Sequence, residues 1–259
     1  MLLIHGFPTS SHDWQRVTEL LADRFCCAAV DLPGYGLSDK PRAYSYSLFQ
    51  QADVVEGVAS ALGFAGAHVI SHDVGTSLHT ELLARNQEGR LRFELLSSTF
   101  LNGSMLKRMA HLTDFQKMLE VPSQLDRAQQ ICDNLMPDYV DRIKDAIVRP
   151  EAITDEDAIV MTEVMAYQHG NSRLTNIYSY VRERYLMQDR WIGALKNERT
   201  PLQIAWAAED PIAVLEMGRA IHAMLPQAPY TEIPHSGHFT PIEQPEHIAT
   251  AFRTFHATI

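Results

Sequence analysis

The stretch VISHDVGTS, residues 69–77, holds the residue types best spaced to do chemistry. A strand that turns sharply into a helix can present a nucleophile at the bend, and the pattern there is small-x-nucleophile-x-small because the flanking residues meet side by side. Only one frame fits. With Ser71 at the centre the flanks would be Val69 and Asp73, one branched and one charged. With Asp73 at the centre they are Ser71 and Gly75, both small. The following TSLHTELLAR has helical periodicity, with Leu78, Leu82 and Leu83 on one face. Asp73 is therefore a candidate nucleophile where serine is commoner, and the competing reading is an aspartate that caps the helix start. A carboxylate nucleophile attacks carbon without help from a base and leaves an ester that water must then cleave.

That second step calls for an acid and a histidine. AAEDPI offers Asp210 and, less well placed, Glu209, and HSGHFTPIEQP offers His238 and His235. Any one of the 12 histidines is more often an exposed or core residue than a catalyst; His238 is set apart by its Ser-Gly-His-Phe loop ahead of a terminal helix. HGFP, residues 5–8, follows the first apolar run. Its glycine lets the chain turn and aim the Phe7 N–H toward the elbow, where the Val74 N–H can join it in holding an oxyanion. DLPGYGLSDKP reads as a tight loop beside the elbow, since its glycine spacing matches neither nucleotide-binding pattern. The histidines and acids lack metal-ligand spacing, so neither a metal nor an organic cofactor is expected.

The elements that would position these groups are visible as short apolar runs, MLLI, CCAAVDL, AHVIS, FELLSST, LQIAWAA and YTEIP, alternating with helical stretches. Such alternation predicts a parallel sheet with helices on both faces, its working residues on loops at the carboxyl ends of the strands. The interval from Asn102 to Asp189 breaks the rhythm with several helical stretches divided at Pro122, Pro137, Pro150 and Gly170. We read it as a helical lid over residues 103–189, inserted between core segments 1–102 and 190–259. The 259 residues carry a formal net charge of −10, scattered along the chain, which argues against nucleic acid as a partner. Cys26, Cys27 and Cys132 have neither disulfide nor metal spacing and are expected to be buried, reduced thiols of a cytoplasmic protein. MLLIHGFP does not read as a signal peptide, and no apolar run is long enough to span a membrane. A small apolar molecule is the expected substrate.

The chain order nucleophile, acid, histidine, with HGFPTSSHDW, DLPGYGLSDKPR, VISHDVG, AEDP and SGHF, resembles the α/β-hydrolase family. The aspartate elbow narrows the resemblance to the epoxide hydrolase and haloalkane dehalogenase branch. HGFPTSS, SDKPR, ISHDVG and RWIGAL are also similar to the mesoderm-specific transcript group, for which only a hydrolysis is implied. The branch implies an aspartyl-ester hydrolase with Asp73, His238 and Asp210 as its triad, most simply one that opens epoxides to vicinal diols. It also implies two lid tyrosines that hydrogen-bond the epoxide oxygen. The candidates are Tyr178, Tyr180 and Tyr139, with Tyr167 and Tyr185 in the same interval. Haloalkane dehalogenases carry Asn after His-Gly and Trp after the nucleophile; here those places hold Phe7 and Val74, and the Arg that follows the nucleophile in fluoroacetate dehalogenases is absent too. A dehalogenase with an atypical halide site is the alternative, and a hydrolase-fold binding protein without turnover is a third reading. Family members have two strands and a hairpin ahead of the strand leading into His-Gly, whereas only Met1–Ile4 precede His5. Either the true start lies upstream, or the protein works without those strands, in which case CCAAVDL becomes a sheet edge and a homodimer or poor solubility is expected.

Overall fold

The computed structural model describes residues 1–259. Six strands, β1 (Leu2–Ile4), β2 (Ala28–Val30), β3 (Gly66–Ser71), β4 (Glu94–Phe100), β5 (Leu202–Ala207) and β6 (Tyr230–Ile233), form one parallel sheet in the order β2-β1-β3-β4-β5-β6. Each apolar run contributes a strand. The run CCAAVDL yields only three residues, because Ala28–Val30 pair with the three residues of β1, and they form an edge. Cys26 is therefore exposed and Cys27 half-buried; of the three thiols expected inside, only Cys132 is.

Side chains alternate across the sheet as the pleat requires. Leu3 and Ile70 point to one face and pack with Trp14, Leu21 and Phe252 under α1 (Gln15–Leu21) and the terminal helix. Leu2, Ile4 and Val69 point to the other and join Ala52, Val55, Leu78 and Leu82 of α2 (Leu48–Ala61) and α3 (Val74–Gln87). The helix α3 is buried from Val74 to Arg85, on every side, so the one-sided stripe expected for it is not what the structure shows. Its polar residues are buried because each finds a partner inside. His79 bridges Ser71 and Ser98, and Glu81 accepts from Arg85.

Between β4 and β5 lie α4 (Asp114–Leu119), α5 (Leu125–Asp133), α6 (Tyr139–Lys144), α7 (Asp155–Ala166), α8 (Leu174–Ile177), α9 (Ser179–Leu186) and α10 (Gln188–Lys196). Prolines 122, 137 and 150 each open a short turn between them, and capping boxes at Thr113/Gln116 and Thr154/Asp157 start α4 and α7. This segment covers the carboxyl ends of the strands. Tyr139 donates to the Pro8 carbonyl, Arg16 reaches the Ala152 carbonyl, and the His238 N–H donates to the Ala146 carbonyl. The chain closes with α11 (Leu215–Met224), α12 (Thr240–Glu243) and α13 (Pro245–His256).

Candidate active site

The strand order places the site. The chain leaves β1 for β2 on one side and returns to β3 on the other, so the loops after β1 and β3 diverge at a switch point, where open α/β sheets bind ligands. Ile4 pairs with Ser71 at the ends of these strands, and His5–Pro8 and His72–Val74 emerge side by side.

The elbow is as tight as its sequence implied. Asp73 has φ 46° and ψ −114°, a left-handed conformation that costs a non-glycine residue about 1–3 kcal/mol. A Cβ on Gly75 would lie 2.5 Å from the Ile4 carbonyl oxygen, and one on Gly6 would lie 2.7 Å from the Asp73 Cβ. Asp73 does not cap α3: it makes no side-chain bond to the helix start. Its Oδ2 instead accepts the Phe7 N–H at 2.8 Å, and its Oδ1 stands 3.9 Å from His238 Nε2. Val74 opens α3, where the first N–H groups have no acceptor within the helix. Of the two N–H groups expected at an oxyanion site, that of Phe7 is bonded to the carboxylate and that of Val74 follows it directly in the chain.

His238 Nδ1 donates to Asp210 Oδ2 at 2.9 Å, while Asp210 Oδ1 accepts the N–H groups of Ile212 and Ala213 at 2.7 and 2.9 Å. Burial alone would lower the His238 pKa, but the charge and hydrogen bond of Asp210, followed by the charge of Asp73, carry it up to about 9. Burial would likewise raise Asp210; the His238 charge and bond, with the two amides, hold it at about 2. His235 and Glu209, the weaker candidates, face each other at 3.7 Å on the exposed side and take no part.

Several groups here carried no signal in the sequence. Asn102, fully buried at the end of β4, donates from Nδ2 to Asp210 Oδ2 at 2.6 Å and to the His238 carbonyl at 2.7 Å, and its Oδ1 accepts from Thr240 at 2.7 Å. His72 Nε2 also donates to the His238 carbonyl at 2.7 Å, and burial followed by the His238 charge lowers its pKa to about 4. Glu243 accepts the N–H of Gly237 from one side and those of Val148 and Arg149 from the other, fastening the histidine loop to the inserted segment. Tyr35, in the glycine-rich loop, sets its ring against His5 and Phe7 at 4.9 and 6.5 Å. That loop is tight because Gly34 and Gly36 have φ 93° and 53°, and a Cβ on Gly36 would collide with Asp31. Only an alignment of side chains in space reveals these roles, apart from Tyr35, whose place in a loop after a strand was a usable hint.

The tyrosines divide. Tyr178 and Tyr180 bring their rings within 6.1 and 5.7 Å of the Phe7 ring. The Tyr178 hydroxyl is buried without a partner, and burial followed by the Asp73 charge raises the Tyr180 pKa. Tyr139 is also buried, but its hydroxyl is held by Pro8 at 3.2 Å. Tyr167 is 42% exposed beneath Lys40, and Tyr185 lies under Lys107, both outside this group. RWIGAL anchors the floor: Arg190 and Trp191 donate to Glu81 of α3 at 2.8 and 2.9 Å. No group of three His, Cys, Asp or Glu is placed to hold a metal ion, and no helix is long and apolar enough to cross a membrane.

A family model for the alpha/beta hydrolase fold matches residues 1–245. Among relatives, the presumed hydrolase LipZ of Mycobacterium tuberculosis is 34% identical over 97% of this chain and 86% of its own length. The mesoderm-specific transcript protein of Mus musculus is 31% identical over 98% of this chain and 78% of its own. Among solved structures, haloalkane dehalogenase DbeA from Bradyrhizobium elkani superposes with a TM-score of 0.82 at 22% identity, covering 100% of this chain and 91% of that one. Epoxide hydrolase CorEH does so with 0.77 at 21%, covering 99% and 90%. At such identities the structural likeness speaks for the fold alone. With the sheet order, the elbow and the family match in agreement, the chain belongs to the alpha/beta hydrolase fold family and is a hydrolase of that fold.

Proposed function

We propose that the protein hydrolyses epoxides to vicinal diols through an ester on Asp73. The observation that carries this reading is the position of the Asp73 carboxylate: at the elbow, bonded to the Phe7 N–H and faced by a histidine held by Asp210. A carboxylate so placed attacks an epoxide carbon, one C–O bond forming as the ring C–O bond breaks. The opened oxygen takes on negative charge beside the aromatic wall, where Tyr180 can donate to it. His238 then removes a proton from water, which adds to the ester carbonyl; the Phe7 and Val74 N–H groups hold the oxyanion until the diol leaves. Collapse of that adduct breaks the acyl C–O bond, and the departing oxygen takes the hydroxyl proton left on the carboxyl group; the proton on His238 makes good the one Tyr180 gave the opened oxygen, so both protons of the water end on the diol and the triad is restored. Phe7 and Val74, in the two places that resemble halide-binding positions of dehalogenases, offer side chains without polar hydrogens, which supports epoxide over haloalkane.

The test is intact-mass spectrometry of His238→Gln mixed with aryl and alkyl epoxides and with haloalkanes, since without its base the enzyme accumulates the ester. An adduct of epoxide mass mapping to Asp73 is expected. An adduct from haloalkanes alone, with halide released, replaces the reading by a dehalogenase; folded, unmodified protein across the whole panel refutes a covalent mechanism.

A further inference from the structure

Two arginines are buried, and they differ in one respect. Arg85 is clasped by Glu56 and Glu81. Arg184 on α9, 3% exposed, makes no ion pair: its Nε donates to Ser77 Oγ at 2.6 Å, one terminal nitrogen donates to the Ser104 carbonyl at 3.2 Å, and the other, Nη2, is buried without a partner. A buried cation with an idle donor is costly unless a ligand, an ion or a water completes it.

Its surroundings connect it to the elbow. Ser77 lies one helical turn past Asp73, about 6 Å along the axis of α3. Ser104 follows Asn102 by two residues. The guanidinium carbon sits 5.0 Å from the Tyr180 ring, which is 5.7 Å from the ring of Phe7, whose N–H holds Asp73. Tyr178 and Tyr180 pack against each other and against Phe7, so the guanidinium and the Asp73 carboxylate adjoin the same aromatic cluster, one beside Tyr180 and the other on the Phe7 N–H.

We propose that Arg184 binds a carboxylate of the substrate, which makes the substrate class small carboxylic acids that bear an epoxide a few carbons from the acid group. The inference rests on the reading of Asp73 as the nucleophile. The planar guanidinium fork matches a carboxylate better than it matches any neutral acceptor. The apolar substrate expected from the sequence thereby gains an anionic end. A purely structural Arg184, tying α9 to Ser77 and Ser104, would confer no preference for an acid.

Binding and turnover separate the two readings. Calorimetric titration of the wild type with pentanoate and with pentanamide is expected to show the acid bound at least about tenfold more tightly, a preference lost in Arg184→Met and reduced in Arg184→Lys. In turnover, kcat/KM for an epoxyhexanoate over its methyl ester is expected to exceed about ten in the wild type and to fall toward one in Arg184→Met. Equal binding of acid and amide by the wild type, or a preference that survives Arg184→Met, overturns the proposal. Should Arg184→Met fail to fold, the wild-type ratios decide alone. Acid-selective binding without any ester on Asp73 in His238→Gln refutes the nucleophile and leaves the anion site standing. An Asp73 ester formed from neutral epoxides with no acid preference does the reverse.

Discussion

Replacing Asp210 by Asn tests the electrostatic core of the site. His238 is held near pKa 9, against burial, chiefly by the Asp210 charge and its hydrogen bond. A histidine whose folded pKa lies above its ordinary value of about 6.5 contributes stability that is present below pH 6.5 and lost as the pH rises through about 9. At 1.36 kcal/mol per pKa unit, a rise of about two and a half units contributes on the order of 3 kcal/mol. Asp210, held down at about 2, contributes stability that is present above its ordinary 3.8 and lost as the pH falls through about 2. The pair thus stabilises most between about pH 4 and 6.5. In Asp210→Asn the largest group opposing burial is gone while the charges of Asp73 and Glu243 remain, and the His238 pKa is expected to fall to its ordinary 6.5 or below. Urea unfolding at pH 6.5 and 9.5 is then expected to show the gap between wild type and variant shrinking by about 3 kcal/mol. The same shift appears in ester hydrolysis. Wild-type turnover of the ester rises with pH across neutrality, more so because esterified Asp73 no longer supports the imidazolium, whereas the variant is flat above about pH 6.5 with a lower plateau. A stability gap constant to within about 0.5 kcal/mol over this window would refute the coupling of His238 to Asp210.

Gly75→Ala pushes a methyl group to 2.5 Å from the Ile4 carbonyl and is expected to cost roughly 2–3 kcal/mol in denaturant melts; a neutral effect contradicts the tight elbow. Asn102→Leu removes the bonds to Asp210, the His238 carbonyl and Thr240, and is expected to lose about 3 kcal/mol together with kcat at steady KM, whereas an unchanged melt and kcat would show that Asn102 does not position the pair. Tyr180→Phe is expected to lower kcat on an aryl epoxide about a hundredfold, with Tyr139→Phe near wild type because that hydroxyl is already spent on Pro8; equal losses would displace Tyr180 from its role.

Local chemistry wrote much of this protein into its sequence. The small flanks of Asp73 fix the elbow because the bend leaves no room for a side chain at Gly75, and apolar runs between helical stretches fix a parallel sheet because a strand buried on both faces must be apolar throughout. The positions of Phe7, Val74, Asp210 and His238 beyond the carboxyl ends of β1, β3, β5 and β6 follow from the same reasoning. Their convergence was decided by the sheet order, which sets β3 between β1 and β4 and so brings the ends of distant strands together. Asn102, His72 and Glu243 are polar residues like many others in the chain until that packing buries them against the His238 loop. Likewise, five tyrosines of the inserted segment are equivalent as letters, and only the tertiary fold sets the rings of Tyr178 and Tyr180 against Phe7. In the sequence Arg184 is one of several arginines of the inserted segment; burial away from any carboxylate, a property of the tertiary structure alone, leaves one of its donors without a partner.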